Sequence, residues 1–104
     1  MKTILILAVA MALSATASAA DPAAGREKAK TCAVCHGENG VSQAPDFPKL
    51  AGQHRDYLMR ALSDYKSGAR KNAIMAGQVA NLKREDFADL AAYYSSLQAL
   101  TTKY

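Results

Sequence analysis

The sequence contains no tryptophan and only two cysteines among its 104 residues. Two cysteines cannot form the disulfide network that stabilises many small exported domains. Beyond residue 20 no apolar run is long enough to span a membrane, since a spanning helix needs about 20 predominantly apolar residues. No segment alternates apolar and polar residues as a half-buried strand does. These absences predict one small helical domain with no stable membrane insertion.

The chain also has only a small excess of positive over negative charge. The net charge is +4, and acidic residues are interspersed with the basic ones along the chain. A protein that binds nucleic acid shows Lys and Arg gathered on one face or in one block. The sequence therefore predicts no nucleic-acid partner.

The first 20 residues are arranged like a secretory signal peptide. Lys2 precedes an apolar run over residues 4–13, and small residues follow up to Ala20. A positive start, a short apolar stretch and an A-x-A-like end are the features of a cleaved leader. A retained membrane anchor is the alternative, but the run is short for about 30 Å of hydrocarbon.

Two segments follow from this interpretation. Residues 1–20 form the signal peptide, cleaved after Ala19 or Ala20, and residues 21–104 form the mature domain. The predicted location of the mature domain is the periplasm. A domain of this size buries little surface, so a cofactor is expected to complete its core.

The mature segment predicts an all-α fold with three helices. Asp21 suits an N-cap, Pro22 suits the first turn, and Gly68 suits the end of the second helix. Glycines and prolines over 37–52 predict an irregular first loop. The predicted order is a helix from Asp21 to about Cys32, the loop over 37–52, a helix from about Gln53 to Ser67, a second loop over 70–82 with at most a short turn, and a helix from about Arg84 to Leu100.

The chemistry is carried by the motif C-x-x-C-H, formed by Cys32, Cys35 and His36. This motif is the attachment signature of c-type haem. The two thiols form thioethers with the haem vinyl groups, and the adjacent imidazole is then held beneath the iron. The sequence therefore predicts one covalently bound haem c with its iron.

The motif has two alternative interpretations, a dithiol redox site and a zinc site. A dithiol redox site normally accompanies a βαβ pattern, which this sequence lacks. A zinc site needs four ligands, and His54 would have to join Cys32, Cys35 and His36 at irregular spacing. Both alternatives are weaker than haem attachment.

The sixth iron ligand is predicted to be Met75. Met/His ligation is common in electron carriers and raises the potential. Met59 lies beside the apolar face of the second helix, whereas Met75 lies in the predicted loop over 70–82. The alternatives are His54, which would make the iron bis-histidine, and an open site, which would favour peroxidase chemistry.

Beyond the motif, three longer stretches carry a resemblance to a known family. They are Cys32-Ala33-Val34-Cys35-His36-Gly37, Phe47-Pro48-Lys49-Leu50-Ala51-Gly52-Gln53-His54 and Asp89-Leu90-Ala91-Ala92-Tyr93-Tyr94. The chain resembles the class I monohaem cytochromes c, in particular the small bacterial periplasmic type, and is similar to one half of the dihaem cytochrome called c-four. The resemblance implies three main helices wrapped around one covalent haem.

The resemblance also implies roles for single residues. Gly25 would let the first helix cross the last one closely, against Leu90 and Tyr93. The carbonyl of Pro48 would accept a hydrogen bond from His36 Nδ1, Leu50 would pack on the haem, and Met75 would match the axial methionine.

The sequence departs from the family pattern at two points. Lys83 stands where a capping Ser or Thr is common, which leaves the start of the last helix open, with Asn81 as a substitute cap. A second C-x-x-C-H is absent, so one haem is expected. The implied function is that of an electron carrier, not an enzyme. Its partners would be redox proteins, either transiently docked or as fellow subunits of a complex.

Overall fold

The computed structural model describes residues 3–6, 8 and 19–98, and in these ranges it is helical without strands. Its helices are α1 (Pro22–Lys28), α2 (Ala33–His36), α3 (Arg55–Ser67), α4 (Ala73–Val79) and α5 (Arg84–Ser96). The predicted all-α class is confirmed. Most of the predicted leader lies outside the described residues. The prediction that the last helix runs to about Leu100 was wrong, because Leu97 adopts an extended backbone and ends the helix after Ser96. None of the helices in the described ranges is long and apolar enough to cross a membrane.

The start of α1 is the one that the sequence predicts. The Asp21 side chain accepts a hydrogen bond from the backbone N–H of Ala23 over 2.9 Å, and Pro22 occupies the first turn. The prediction was wrong about the end, since α1 stops at Lys28 and not near Cys32. A turn separates it from α2, which begins at Ala33. This break gives the cysteine motif a helical turn of its own.

The crossing of α1 and α5 depends on Gly25. A Cβ added there would lie 2.0 Å from the backbone oxygen of Asp89 and 2.8 Å from Cβ of Tyr93. The predicted close crossing is confirmed, with the Asp89 backbone rather than Leu90 as the nearest neighbour. The buried core lies between these helices and α3, and contains Ala29, Leu58, Leu90, Ala91 and Tyr94.

Helix α4 corrects the prediction of a loop over 70–82. Its N-cap is Asn72, whose side chain accepts a hydrogen bond from the backbone N–H of Met75 over 3.0 Å. Seven residues are too few to show an apolar period, and Gly77 lowers the helix propensity of the segment. The capping Asn was the available signal. Met75 is therefore held in a helix that contacts α3.

Helix α5 begins at Arg84, as the sequence predicts. Its N-cap is Lys83 and not Asn81. The lysine ammonium has no lone pair with which to cap a helix. Asp86 compensates, because its carboxylate accepts a hydrogen bond from the backbone N–H of Lys83 over 2.8 Å. The acidic group also suits the positive end of the helix dipole.

Candidate cofactor site

The two cysteines lie on one helical turn. The backbone N–H groups of Cys35 and His36 donate to the carbonyl of Cys32 over 3.2 and 2.9 Å. Residues three positions apart on a helix lie on the same face. Both thiols are free and partly buried. The turn therefore presents two thiols and an imidazole within five residues.

His36 is buried, with only 6% of its surface exposed. Its Nδ1 lies 2.7 Å from the carbonyl oxygen of Pro48, which is the contact that the family resemblance implied. A carbonyl can only accept, so Nδ1 carries the proton and the lone pair is on Nε2. This tautomer suits a metal ligand, and the carbonyl raises the donor strength of the imidazole.

The loop over 37–52 holds Pro48 in position. The carbonyl of Gly40 accepts from the backbone N–H groups of Leu50 and Ala51 over 2.8 and 3.0 Å. The N–H of Gly52 donates to the carbonyl of Tyr94 over 3.0 Å, which attaches the end of the loop to α5. Leu50 is partly buried and packs against the core.

The Tyr94 hydroxyl reaches the site from α5. It is buried and, within the described residues, is the buried side-chain polar atom that lacks a hydrogen-bond partner. The neighbouring side chain is that of Cys32. Burial raises the pKa of the Cys32 thiol above its ordinary value, and burial together with Cys32 raises the pKa of Tyr94. Both groups are therefore protonated at neutral pH.

The candidate sixth ligands occupy different surroundings. Met59 is partly buried and packs against the core, as its helical position predicted. His54 is exposed at the start of α3. Met75 is partly buried on α4, and among the described residues it shares no hydrogen bond with α2. The structure brings Cys32, Cys35, His36 and Pro48 together. The role of Met75 as the sixth ligand stays a prediction.

The residues fit a haem. The core is flanked by apolar side chains that are packed against it but only partly buried: Leu50, Met59, Leu62, Leu82, Tyr93 and Leu97. A large planar apolar group would cover such side chains. Two free thiols and an imidazole with a free Nε2 supply the attachment points. A zinc site has less support, since the described part of the chain groups no three His, Cys, Asp or Glu side chains around a metal position.

The sequence did not predict the place of the Tyr94 hydroxyl beside Cys32. The residue falls in the apolar stripe of the last helix, which predicts packing of its ring and says nothing of its hydroxyl. A single sequence offers no signal for a contact between α5 and Cys32, because the two are far apart along the chain.

Comparison with known proteins agrees with this site. The family model for cytochrome c matches residues 22–98. Cytochrome c4 of Pseudomonas aeruginosa is 46% identical over 96 residues, which cover 91% of this chain and 48% of that protein. Cytochrome c-554(548) of Halomonas halodenitrificans is 46% identical over 81 residues, or 75% of this chain and 98% of that protein.

A solved structure shows the same fold. Reduced recombinant cytochrome c4 from Pseudomonas stutzeri superposes with a TM-score of 0.73 at 43% identity, over 77% of this chain and 47% of that one. The chain thus spans about half the length of the cytochromes c4 that it matches. The matched region contains the cysteine turn, His36 and the helices that surround them. The chain therefore belongs to the cytochrome c family, whose cofactor is covalently bound haem c.

Proposed function

We propose that this protein is a periplasmic electron carrier with one haem c. Cys32 and Cys35 would hold the haem by thioethers, and Nε2 of His36 would bind the iron. The observation that carries the proposal is the buried His36, whose Nδ1 donates a hydrogen bond to the carbonyl oxygen of Pro48. His36 lies on the same turn as two free thiols. The haem iron would supply a one-electron couple between the ferric and ferrous states.

The chain's own residues would hold the cofactor and set its surroundings. The Pro48 carbonyl keeps the imidazole oriented and its Nε2 lone pair directed away from the loop. Leu50, which packs against the core, would cover part of the haem and exclude water from it. Low polarity and ligand strength are the properties by which a protein tunes a haem potential.

Met75 is the proposed sixth ligand. It is partly buried, and the Asn72 cap holds its backbone in the first turn of α4. Met59 packs against the core, which leaves Met75 as the thioether available. A neutral sulfur donor stabilises the ferrous state and raises the potential. With His36 and Met75 bound, no iron position would be open to a substrate, which favours a carrier over a peroxidase.

The proposed partners are redox proteins that receive or donate one electron through a small, short-lived interface. Four basic residues are candidates for this contact: Lys49, Arg70, Lys71 and Lys83. Arg70 is exposed yet ordered, since it donates to the Tyr57 hydroxyl over 3.2 Å and lies 4.8 Å from the centre of the Tyr65 ring. A fixed guanidinium loses less entropy on docking than a free one.

Mass spectrometry and an absorption spectrum test the function together. The protein should be expressed with its leader and with haem-maturation machinery. We expect a chain that begins at Ala20 or Asp21 and carries one haem and no free thiol. The oxidised protein should show the weak long-wavelength band of iron–methionine ligation. A secreted protein of apoprotein mass would refute the proposal.

A further inference from the structure

The Tyr94 hydroxyl is a buried polar group with no hydrogen-bond partner in the described part of the chain. Leaving a buried hydroxyl unpaired costs free energy, and native proteins pair the great majority of such groups. Cys32 packs against the buried core cluster that contains Tyr94, and its side chain is the polar group beside the hydroxyl. The Cys32 sulfur is therefore the acceptor available to the hydroxyl.

The Tyr94 ring has little freedom to move. A Cβ added to Gly40 would lie 3.0 Å from Cδ1 of the ring, so the loop backbone lies against it. The ring of Tyr93 packs on it at a centroid distance of 5.1 Å and a tilt of 58°. The backbone carbonyl of Tyr94 also accepts from Gly52. These contacts hold the hydroxyl in a fixed position beside Cys32.

We propose that Tyr94 is a positioning residue whose hydroxyl donates a hydrogen bond to the sulfur of Cys32. The inference rests on the proposed function, in which Cys32 carries the haem. A thioether sulfur retains lone pairs and is a weak acceptor, so the contact persists after attachment. In the described part of the chain, the Cys35 side chain shares no hydrogen bond with a hydroxyl. Tyr94 therefore orients one of the two attachment sulfurs and not the other.

The test compares Tyr94→Phe with Tyr93→Phe in the exported holoprotein. Each substitution removes one hydroxyl from adjacent rings, and only the first hydroxyl lies beside Cys32. We expect Tyr94→Phe to increase several-fold the share of chains attached through Cys35 alone, as measured by peptide mass spectrometry. Its pyridine haemochrome band should move to longer wavelength, because one vinyl group stays conjugated with the ring. Tyr93→Phe should match the wild type in both measurements.

A second measurement separates positioning from simple packing. Tyr94→Phe should lower the thermal midpoint of the wild-type holoprotein but not that of a Cys32→Ala holoprotein, which lacks the acceptor. An equal loss in both backgrounds, or a wild-type pattern of attachment in Tyr94→Phe, would overturn the inference. A wild-type protein without covalent haem would remove the proposed function and this inference together. A haem-loaded wild type with an indistinguishable Tyr94→Phe variant would remove the inference alone.

Discussion

Lys28 of α1 lies 2.6 Å from Asp89 of α5, measured between Nζ and Oδ2. The same ammonium lies 2.7 Å from Asp86 Oδ1, and the other Asp89 oxygen accepts from the backbone N–H of Asp21 over 2.8 Å. These groups bridge the two helices beside the Gly25 crossing. The sequence showed only dispersed charges, and the folded chain pairs three of them across its main helix contact.

This bridge predicts a measurable loss of stability in Asp89→Asn. The substitution removes the charge that pairs with Lys28, and we expect a loss of about 1 kcal/mol in the free energy of unfolding. Denaturant unfolding of the holoprotein measures it. Lys30→Met is the control, because Lys30 pairs with Glu27 on the exposed surface and should change the free energy of unfolding little. Equal effects of the two substitutions would contradict the bridge.

Acid should weaken the same contact. The backbone N–H of Asp21 and the ammonium of Lys28 lower the pKa of Asp89, and Lys28 together with the backbone of Lys83 lowers that of Asp86. A lowered pKa in the folded state means that the unfolded state takes up protons first as the pH falls. The stabilisation is therefore complete above about pH 4, the ordinary range of a carboxyl, and is lost as the pH falls through the folded values.

Thermal midpoints of the holoprotein over this acid range measure the effect. In Asp89→Asn the thermal midpoint should fall less steeply with decreasing pH than in the wild type, because one of the two carboxyls that pair with Lys28 no longer titrates. A decline of the same steepness in both proteins would show that other groups control acid stability.

Gly25→Ala should destabilise the protein by about 3 kcal/mol, near the upper end for overpacking, since the added carbon would meet the Asp89 backbone at 2.0 Å. Gly77→Ala is a matched control that should increase the stability of the protein. No atom lies within 4 Å of a Cβ added there, and Ala favours a helix interior over Gly by about 1 kcal/mol. Denaturant midpoints measure both variants. A Gly25→Ala protein as stable as the wild type would refute the close crossing.

Met75→His should retain six-coordinate iron, lower the reduction potential and remove the iron–sulfur band. Met75→Ala should open the iron to carbon monoxide. Met59→Leu is the control, since Met59 packs against the core and its replacement should leave the spectrum and potential nearly unchanged. A wild-type spectrum in Met75→Ala would make the assignment wrong, and His54 would be the next residue to replace.

The docking proposal predicts a dependence on salt. If basic side chains contact an acidic redox partner, the on-rate should fall as ionic strength rises, because salt screens the attraction. Lys71→Gln should lower the on-rate at low salt and leave the reduction potential unchanged. Stopped-flow mixing with an acidic redox protein measures the on-rate. A rate independent of ionic strength would contradict the proposed contact.

The cofactor and most of the helices can be predicted from the printed sequence. Haem attachment depends on two thiols and an imidazole within five residues, and such spacing is visible in the printed chain. The start of α1 at Pro22 and the extent of α3 likewise follow from local capping and periodicity. The hydrogen bond from His36 to Pro48 was expected only through the family resemblance, and the structure contains it.

The contacts between groups that are distant along the chain become visible only in the folded protein. The Lys28 bridge and the Tyr94 hydroxyl beside Cys32 join residues more than 50 positions apart. Helix α4 was missed because its seven residues show no period of their own and are supported by α3 and the Asn72 cap. Local spacing encodes the direction of a side chain on its own helix, whereas the partner of that side chain depends on how the helices cross.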